Sequence, residues 1–415
     1  MSDTVEFGGW PRPPRWVWVA AGVAAVAVLA GVVVSQRGPH HAAASPPSSP
    51  PPAASLAGGP SAPAASSAAG WPSVEGACRL PVYLPRIRLA RHRAPVHVAV
   101  LVGGTALREV TAGGALSGPL PGLPGPGRVV TKLVSGPGAD YAFVDPQCNG
   151  YLWVYRIVAG AAHRLGTAAF DLLGGPHHAW AVTYPRHTLL TPLDGGRTVT
   201  LKAGTDPVAD TAAGLVVADH RRAGRPATVE LVDPSTGALV RRLASGSPLG
   251  AAAGAVLVRR PGCGAPQASG TCTLESIGLR TGRPAAAFGL PAGRVPVSGA
   301  VFSPSGTVAA FQLARARPDP RVTTGHPLPP ADVAVLHLRT GRLDIVPGLE
   351  LPPGTAAGLA FDATGSWLLA TVSEGDHGEL LAWRHGMPGP ALVTSLPGPL
   401  MAPPPLLLAP SSSRS

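Results

Sequence analysis

An all-β fold, a propeller of about seven blades with six as the alternative, follows from three features of the sequence. Short runs rich in Val, Ile, Leu, Tyr and Trp alternate with clusters of Gly, Pro, Asp and Ser. Turn-bearing units recur at intervals near the length of one propeller blade. Gly (53) and Pro (50) fill about a quarter of the 415 residues, and both break helices. With 45% hydrophobic and 13% charged residues, the chain is not disordered from end to end.

Residues 1–15 are expected to be a short cytoplasmic N-terminus. Trp16 to Val34 is 19 residues without a charge. As a helix this run reaches roughly 28 Å, near the hydrocarbon thickness of a bilayer. Arg12 and Arg15 precede it and Arg37 follows, so the positive-inside rule sends the main domain out of the cytoplasm. A cleaved signal peptide ending near Ala42–Ala44 is the rival, although the apolar run exceeds the usual length. Both readings place the body outside the cytoplasm, with the anchored one giving a single-pass cell-membrane protein. Residues 35–77, dominated by Pro, Ala and Ser, read as a disordered tether.

Four cysteines in an exported chain favour disulfides. Cys263 and Cys272 flank a Gly-rich stretch that looks like a tied-off loop between two strands, and Cys78–Cys148 then follows by elimination. A metal site is the functional alternative, without C-x-x-C spacing behind it. Free buried thiols are the plainer reading.

The body, residues 78–399, carries the repeats. Strand-turn-strand units appear as LVDPSTGALVRRL (Leu231–Leu243), GLRTGRPAAAF (Gly278–Phe288) and HLRTGRLDIV (His337–Val346). Their turn glycines are Gly237, Gly282 and Gly341, with weaker versions at Gly160, Gly196 and Gly386. A second unit, apolar on both sides of its turn, appears as AVFSPSGTVAAF (Ala300–Phe311) and LAFDATGSWLLA (Leu359–Ala370). A third pair sets Gly214 and Gly254 forty residues apart. The first unit is an outer hairpin and the second an inner one; together they make a four-stranded sheet that must stack on copies of itself. Strands within Leu80–Val110, completed by a C-terminal strand, supply a seventh set. The tail, 400–415, is otherwise expected to be disordered. On FSPSG at Phe302–Gly306, FDATG at Phe361–Gly365 and the L-x-T-G turns, the chain resembles the WD40-like and TolB-like β-propeller repeats. The WD dipeptide is absent.

Net charge is +11, and Lys132 and Lys202 are the only lysines among 33 basic residues. The basic balance favours anionic partners, but an exported chain is a poor nucleic-acid binder. Arg79, Arg86, Arg88, Arg91 and Arg93 form the densest basic stretch. It suits contact with anionic headgroups or envelope polymers; a solvated edge strand whose charges discourage pairing is the plainer reading. The insertion Arg315–Pro330, with Arg315, Arg317 and Arg321, should project as a loop and offers a contact surface, or else is merely tolerated.

No G-x-S-x-G, H-E-x-x-H, P-loop, EF-hand loop or G-x-G-x-x-G before a helix occurs. His177 and His178 read as loop residues, and Asp145, Asp194, Asp233 and Asp362 as turn-makers. No catalytic, cofactor or metal residue is expected. The function that follows is a non-catalytic binding or scaffolding module, held outside the membrane and meeting a protein or envelope-polymer partner. A propeller enzyme of the lyase or glycosidase kind, or a ligand-sensing ectodomain, is the alternative.

Overall fold

The computed structural model describes residues 86–89, 100–103, 106–111, 113–123, 129–145, 152–184, 187–220, 225–252, 254–263, 271–315, 330–352, 356–374, 377–397 and 406–408. The expected membrane segment, the tether, Cys78 and Cys148 lie outside them. Among the described residues every regular element is a β-strand, and no helix is long and apolar enough to cross a membrane.

Three short strands come first: β1 (Arg86–Ile87), β2 (Val100–Val102) and β3 (Arg108–Val110). Six blades follow. Blade 1 is β4 (Val129–Gly136), β5 (Ala139–Asp145), β6 (Leu152–Val158) and β7 (Ala161–Ala169). Blade 2 is β8 (Asp171–Leu173), β9 (Trp180–Thr183), β10 (Leu189–Pro192) and β11 (Val199–Thr200). Blade 3 is β12 (Thr205–Thr211), β13 (Gly214–Asp219), β14 (Thr228–Val232) and β15 (Leu239–Ser245). Blade 4 is β16 (Ser247–Ala252), β17 (Ala255–Arg259), β18 (Thr273–Gly278) and β19 (Pro284–Gly289). In blade 5 the inner strand is broken into β20 (Arg294–Pro296) and β21 (Val301–Phe302). Both pair with β22 (Val308–Arg315), and β23 (Ala331–His337) and β24 (Leu343–Leu351) follow. Blade 6 is β25 (Gly358–Phe361), β26 (Leu368–Glu374), β27 (His377–Trp383) and β28 (Ala391–Pro397). The last strand is β29 (Leu406–Leu408).

Each blade is a meander of consecutive antiparallel strands. The inner strands β4, β8, β12, β16, β21 and β25 touch one another in that order, and β29 touches both β25 and β4. The chain is therefore a β-propeller, as the repeats predict. Strand β29 is a C-terminal strand of the kind expected to complete the set in Leu80–Val110, within a tail otherwise expected to be disordered. It pairs with β2, which pairs with β3, giving a separate three-stranded sheet. Strand β1 departs from expectation: instead of joining that sheet, it pairs with β24 at the outer edge of blade 5.

Turn chemistry explains the local structure. All six outer-turn glycines singled out above have positive φ, from 65° at Gly282 to 128° at Gly196, a region that side chains with a Cβ rarely adopt. A single blade cannot bury both of its faces, and the core accordingly lies between blades. Tyr141 and Phe143 of blade 1 pack with Leu172 and Ala181 of blade 2. Val216 and Leu231 of blade 3 pack with Val256 and Ile277 of blade 4. The three-stranded sheet obeys the same rule: Val102 and Val110 pack on blade 6, and Leu107 packs on blade 1.

Candidate functional site

The rim of blades 4 and 5 gathers features that are far apart in sequence. A disulfide joins Cys263 to Cys272, closing the loop between β17 and β18. Cys272 is buried in one apolar cluster with Leu313, Ala314 and Ala331 of blade 5. Ala314 and Ala331 are Cα partners where β22 ends and β23 begins, so the disulfide packs beneath the root of the arginine-bearing insertion. Arg294 Nη1 donates to Asp332 Oδ2 at 2.6 Å at this root, and Arg260 forms an ion pair with Glu275 beside the disulfide. An open cavity of about 470 Å³ lies there, lined by residues that include Arg260, Cys263, Thr271 and Glu275.

Register brings the second basic segment to the outer edge of blade 5. Arg86 is paired with Glu350, Glu350 with Asp332, and Asp332 with Leu313. Arg86 is thus three strands from β22, about 14 Å at the usual strand spacing. Arg315 is the last residue of β22, two beyond Leu313. Arg88 is exposed, and its backbone N–H donates to Gly348 O at 2.8 Å. Two arginine segments more than 200 positions apart therefore root on one blade. Arg79, Arg91, Arg93, Arg317 and Arg321 lie outside the described residues.

Among the described residues, histidines also meet carboxylates at junctions between blades. In one cluster, the Asp210 side chain at the end of β12 is fully buried. It accepts from the backbone N–H groups of His177 and His178 at 3.2 and 3.1 Å, and from Trp180 Nε1–H at 3.1 Å. His177 Nδ1 lies 2.7 Å away. His178 Nδ1 meets Asp194 at 2.8 Å, and its ring stands edge-on to Trp180 at 4.7 Å. As an ionised carboxylate only accepts, Nδ1 is the donor in each pair. Asp210 thus ties the loop between β8 and β9 to the next blade. The approach leaves no room for a side chain at Gly175, where an added Cβ would meet Asp210 Cβ at 2.2 Å.

In another cluster, Asp344 of β24 receives His337 Nε2 at 3.1 Å and Arg342 Nη2 at 2.9 Å, both from its own hairpin. His385 Nδ1, from the outer turn of blade 6, lies at 3.1 Å. Burial by itself would raise the Asp344 carboxyl; the Arg342 hydrogen bonds and charge, with His337 and His385, outweigh it and hold it below its ordinary value. Sequence reasoning missed Asp210, Asp344, His337 and His385, because each cluster is assembled across two blades and leaves no local motif. The turn-making role expected of aspartates does hold at Asp362, which accepts from Trp367 N–H at 3.0 Å and Thr364 Oγ1 at 2.7 Å.

No family model matches the chain, and neither does any curated protein. Solved structures similar to it include hydrazine synthase of Kuenenia stuttgartiensis, at 12% identity and TM-score 0.46, covering 65% of this chain and 86% of that one. TolB of Acinetobacter baumannii is similar at 11% identity and TM-score 0.40, covering 75% of this chain and 67% of that one. A puromycin-hydrolysing peptidase of Mycobacterium tuberculosis is similar at 13% and 0.44, covering 79% and 57%. At these values the likenesses carry no argument about function. The propeller rests on the sheet order and the contacts among the inner strands.

Proposed function

We propose that the chain is a membrane-anchored, extracytoplasmic propeller that binds a protein or an anionic envelope polymer through the rim of blades 4 and 5, without chemistry of its own. The carrying observation is the register that roots both arginine segments on blade 5, over a disulfide-braced loop. Long loops on a rigid scaffold are a usual place for recognition, and arginine pairs well with carboxylate and phosphate groups. The uncharged run 16–34 and the Cys263–Cys272 disulfide support an exported, anchored body.

The test uses the intact protein in membranes, with crosslinking capture. Deleting 317–328 should leave the melting temperature nearly unchanged and reduce capture, and the wild-type signal should fall with added salt. Undiminished capture by the deletion variant would remove this rim from the reading. Release of the protein by a carbonate wash would remove the anchor. Turnover of a substrate, abolished by one carboxylate or histidine change, would favour the enzyme.

The finer architecture belongs to the same reading. We count β29, β2 and β3 as a seventh blade that closes the ring by joining the two ends of the body. The segment after β3 extends it: Ser117 N–H donates to Glu109 O and Leu120 N–H to Leu107 O, both at 2.8 Å. A chain ending at 399 should then melt several degrees lower, because β25 and β4 lose the strand between them. An unchanged melting temperature would leave six blades and an accessory sheet.

A further inference from the structure

We propose that His337, Asp344 and His385 form a binding site for a divalent transition metal of the zinc class, clasping the outer turns of blades 5 and 6. The inference is independent of the partner-binding rim. The three groups offer two imidazole nitrogens and one carboxylate oxygen, and these ligand atoms all lie within 4.8 Å of one another. A tetrahedral zinc ion with bonds near 2.0–2.1 Å holds its ligand atoms roughly 3.3–3.5 Å apart. His337 Nε2 and His385 Nδ1 each stand 3.1 Å from Asp344 Oδ2. Two sides of the ligand triangle therefore already have nearly the right length. The third closes by a small rotation of His385, which is 56% exposed on its turn.

The hairpin sets two of the three ligands in place. Asp344 is the Cα partner of Val335, and His337 follows two residues on, on the same face of β23. Such diagonal neighbours are within reach of long side chains. The backbone fixes His337 further: its N–H donates to Arg342 O, and its carbonyl accepts from Gly341 N–H, each at 2.8 Å. The third ligand comes from the neighbouring blade, whose outer turn leans on the outer strand before it. Its ring meets that of His337 nearly edge-on, with centroids 6.1 Å apart.

Two imidazoles with a carboxylate suit zinc, nickel, cobalt or copper, whereas calcium and magnesium prefer oxygen alone. Arg342 now supplies the positive charge beside Asp344 Oδ2, through Nη2 at 2.9 Å and Nε at 3.2 Å. A metal and this guanidinium compete for Asp344 Oδ2 and for His337 Nε2, which Arg342 Nη2 approaches at 3.4 Å, and the half-exposed Arg342 side chain has solvent to swing into. Three protein ligands leave a fourth position for water or for a group from outside.

The experiment titrates the purified, chelator-treated full chain with zinc ion, followed by calorimetry and by melting. Cobalt ion serves as the coloured probe of tetrahedral geometry. One equivalent of zinc should bind and raise the melting temperature, and cobalt should give the strong visible bands of a four-coordinate site. His385→Ala should weaken zinc binding by at least about ten-fold while leaving the zinc-free melting temperature unchanged. Arg342→Gln should keep the affinity or increase it, and His177→Ala should have no effect. Wild-type binding no tighter than that of His337→Ala/His385→Ala would overturn the site. So would a loss in Arg342→Gln equal to that in His385→Ala, which would mark mere disturbance of the turn.

Discussion

Asp210 holds one histidine side chain and Asp344 two, each at a junction between blades, yet they belong to different kinds of structure. Asp210 is fully buried and accepts two backbone N–H groups and an indole N–H. Its donors are built into the loop and into a core tryptophan: the two backbone N–H groups are half-buried and Trp180 Nε1–H is fully buried. Asp344 keeps 18% of its side chain exposed and meets Arg342 and two imidazoles at a surface turn. Those donors can turn to solvent. Burial therefore decides whether a histidine–carboxylate group is part of the scaffold or a set of replaceable ligands. The same residue types make a fastening at one junction and an adaptable cluster at the other.

The largest expected effect separates the two directly. Asp210→Ala leaves the His177 and His178 N–H groups and Trp180 Nε1–H without their acceptor. At about 1–3 kcal/mol for a buried unsatisfied group, and less for the two half-buried N–H groups that water can reach, the loss should be about 2–4 kcal/mol. Asp344→Asn should cost less than about 1 kcal/mol without metal, as surface pairs usually do. Melting of both variants in the same buffer checks this. Equal losses would mean that burial is not what distinguishes the clusters.

How far the sequence reveals these regions follows from the range of the interactions involved. A turn glycine is a local requirement. Gly237, Gly282 and Gly341 could be read in order because each hairpin needs positive φ at that point regardless of its neighbours. The apolar turns at Phe302–Gly306 and Phe361–Gly365 were legible for the same reason, and both form the innermost hairpins of their blades. The Asp210 cluster depends instead on an inner strand meeting the inner loop of the blade before it, and the Asp344 cluster on the outer turn of one blade lying against the outer strand of the blade before it. A Cβ at Gly237 would meet Val199 Cγ1 at 3.0 Å, and one at Gly341 would meet Phe288 Cδ1 at 3.3 Å. His385 reaches Asp344 by this offset, and nothing in the residues around either shows it. Arg86 illustrates a further limit. Its charge marked an edge strand, and β1 is one, but which blade it edges is decided by pairing with a segment some 260 residues later.

A third carboxylate, with no histidine beside it, takes its hydrogen bonds from its own turn. Asp233, in the outer turn of blade 3, accepts from the hydroxyls of Ser235 and Thr236 at 2.6 and 2.9 Å, and from their backbone N–H groups at 2.9 and 2.8 Å. The Ser235 and Thr236 hydroxyls, then the two N–H groups, lower its pKa from 3.8 to about 2 against a small opposing effect of burial. A carboxyl whose folded pKa lies below its unfolded value stabilises the fold at pH above the unfolded value. The contribution fades as pH falls through the folded one. The melting difference between wild type and Asp233→Ala should thus be constant above pH 3.8, shrink between 3.8 and about 2, and approach its smallest value below that. This is the smallest of the three effects, because the group is exposed and its donors have water as an alternative. A difference that stays the same at every pH would assign the effect of Asp233 to turn propensity, leaving its charge without a role.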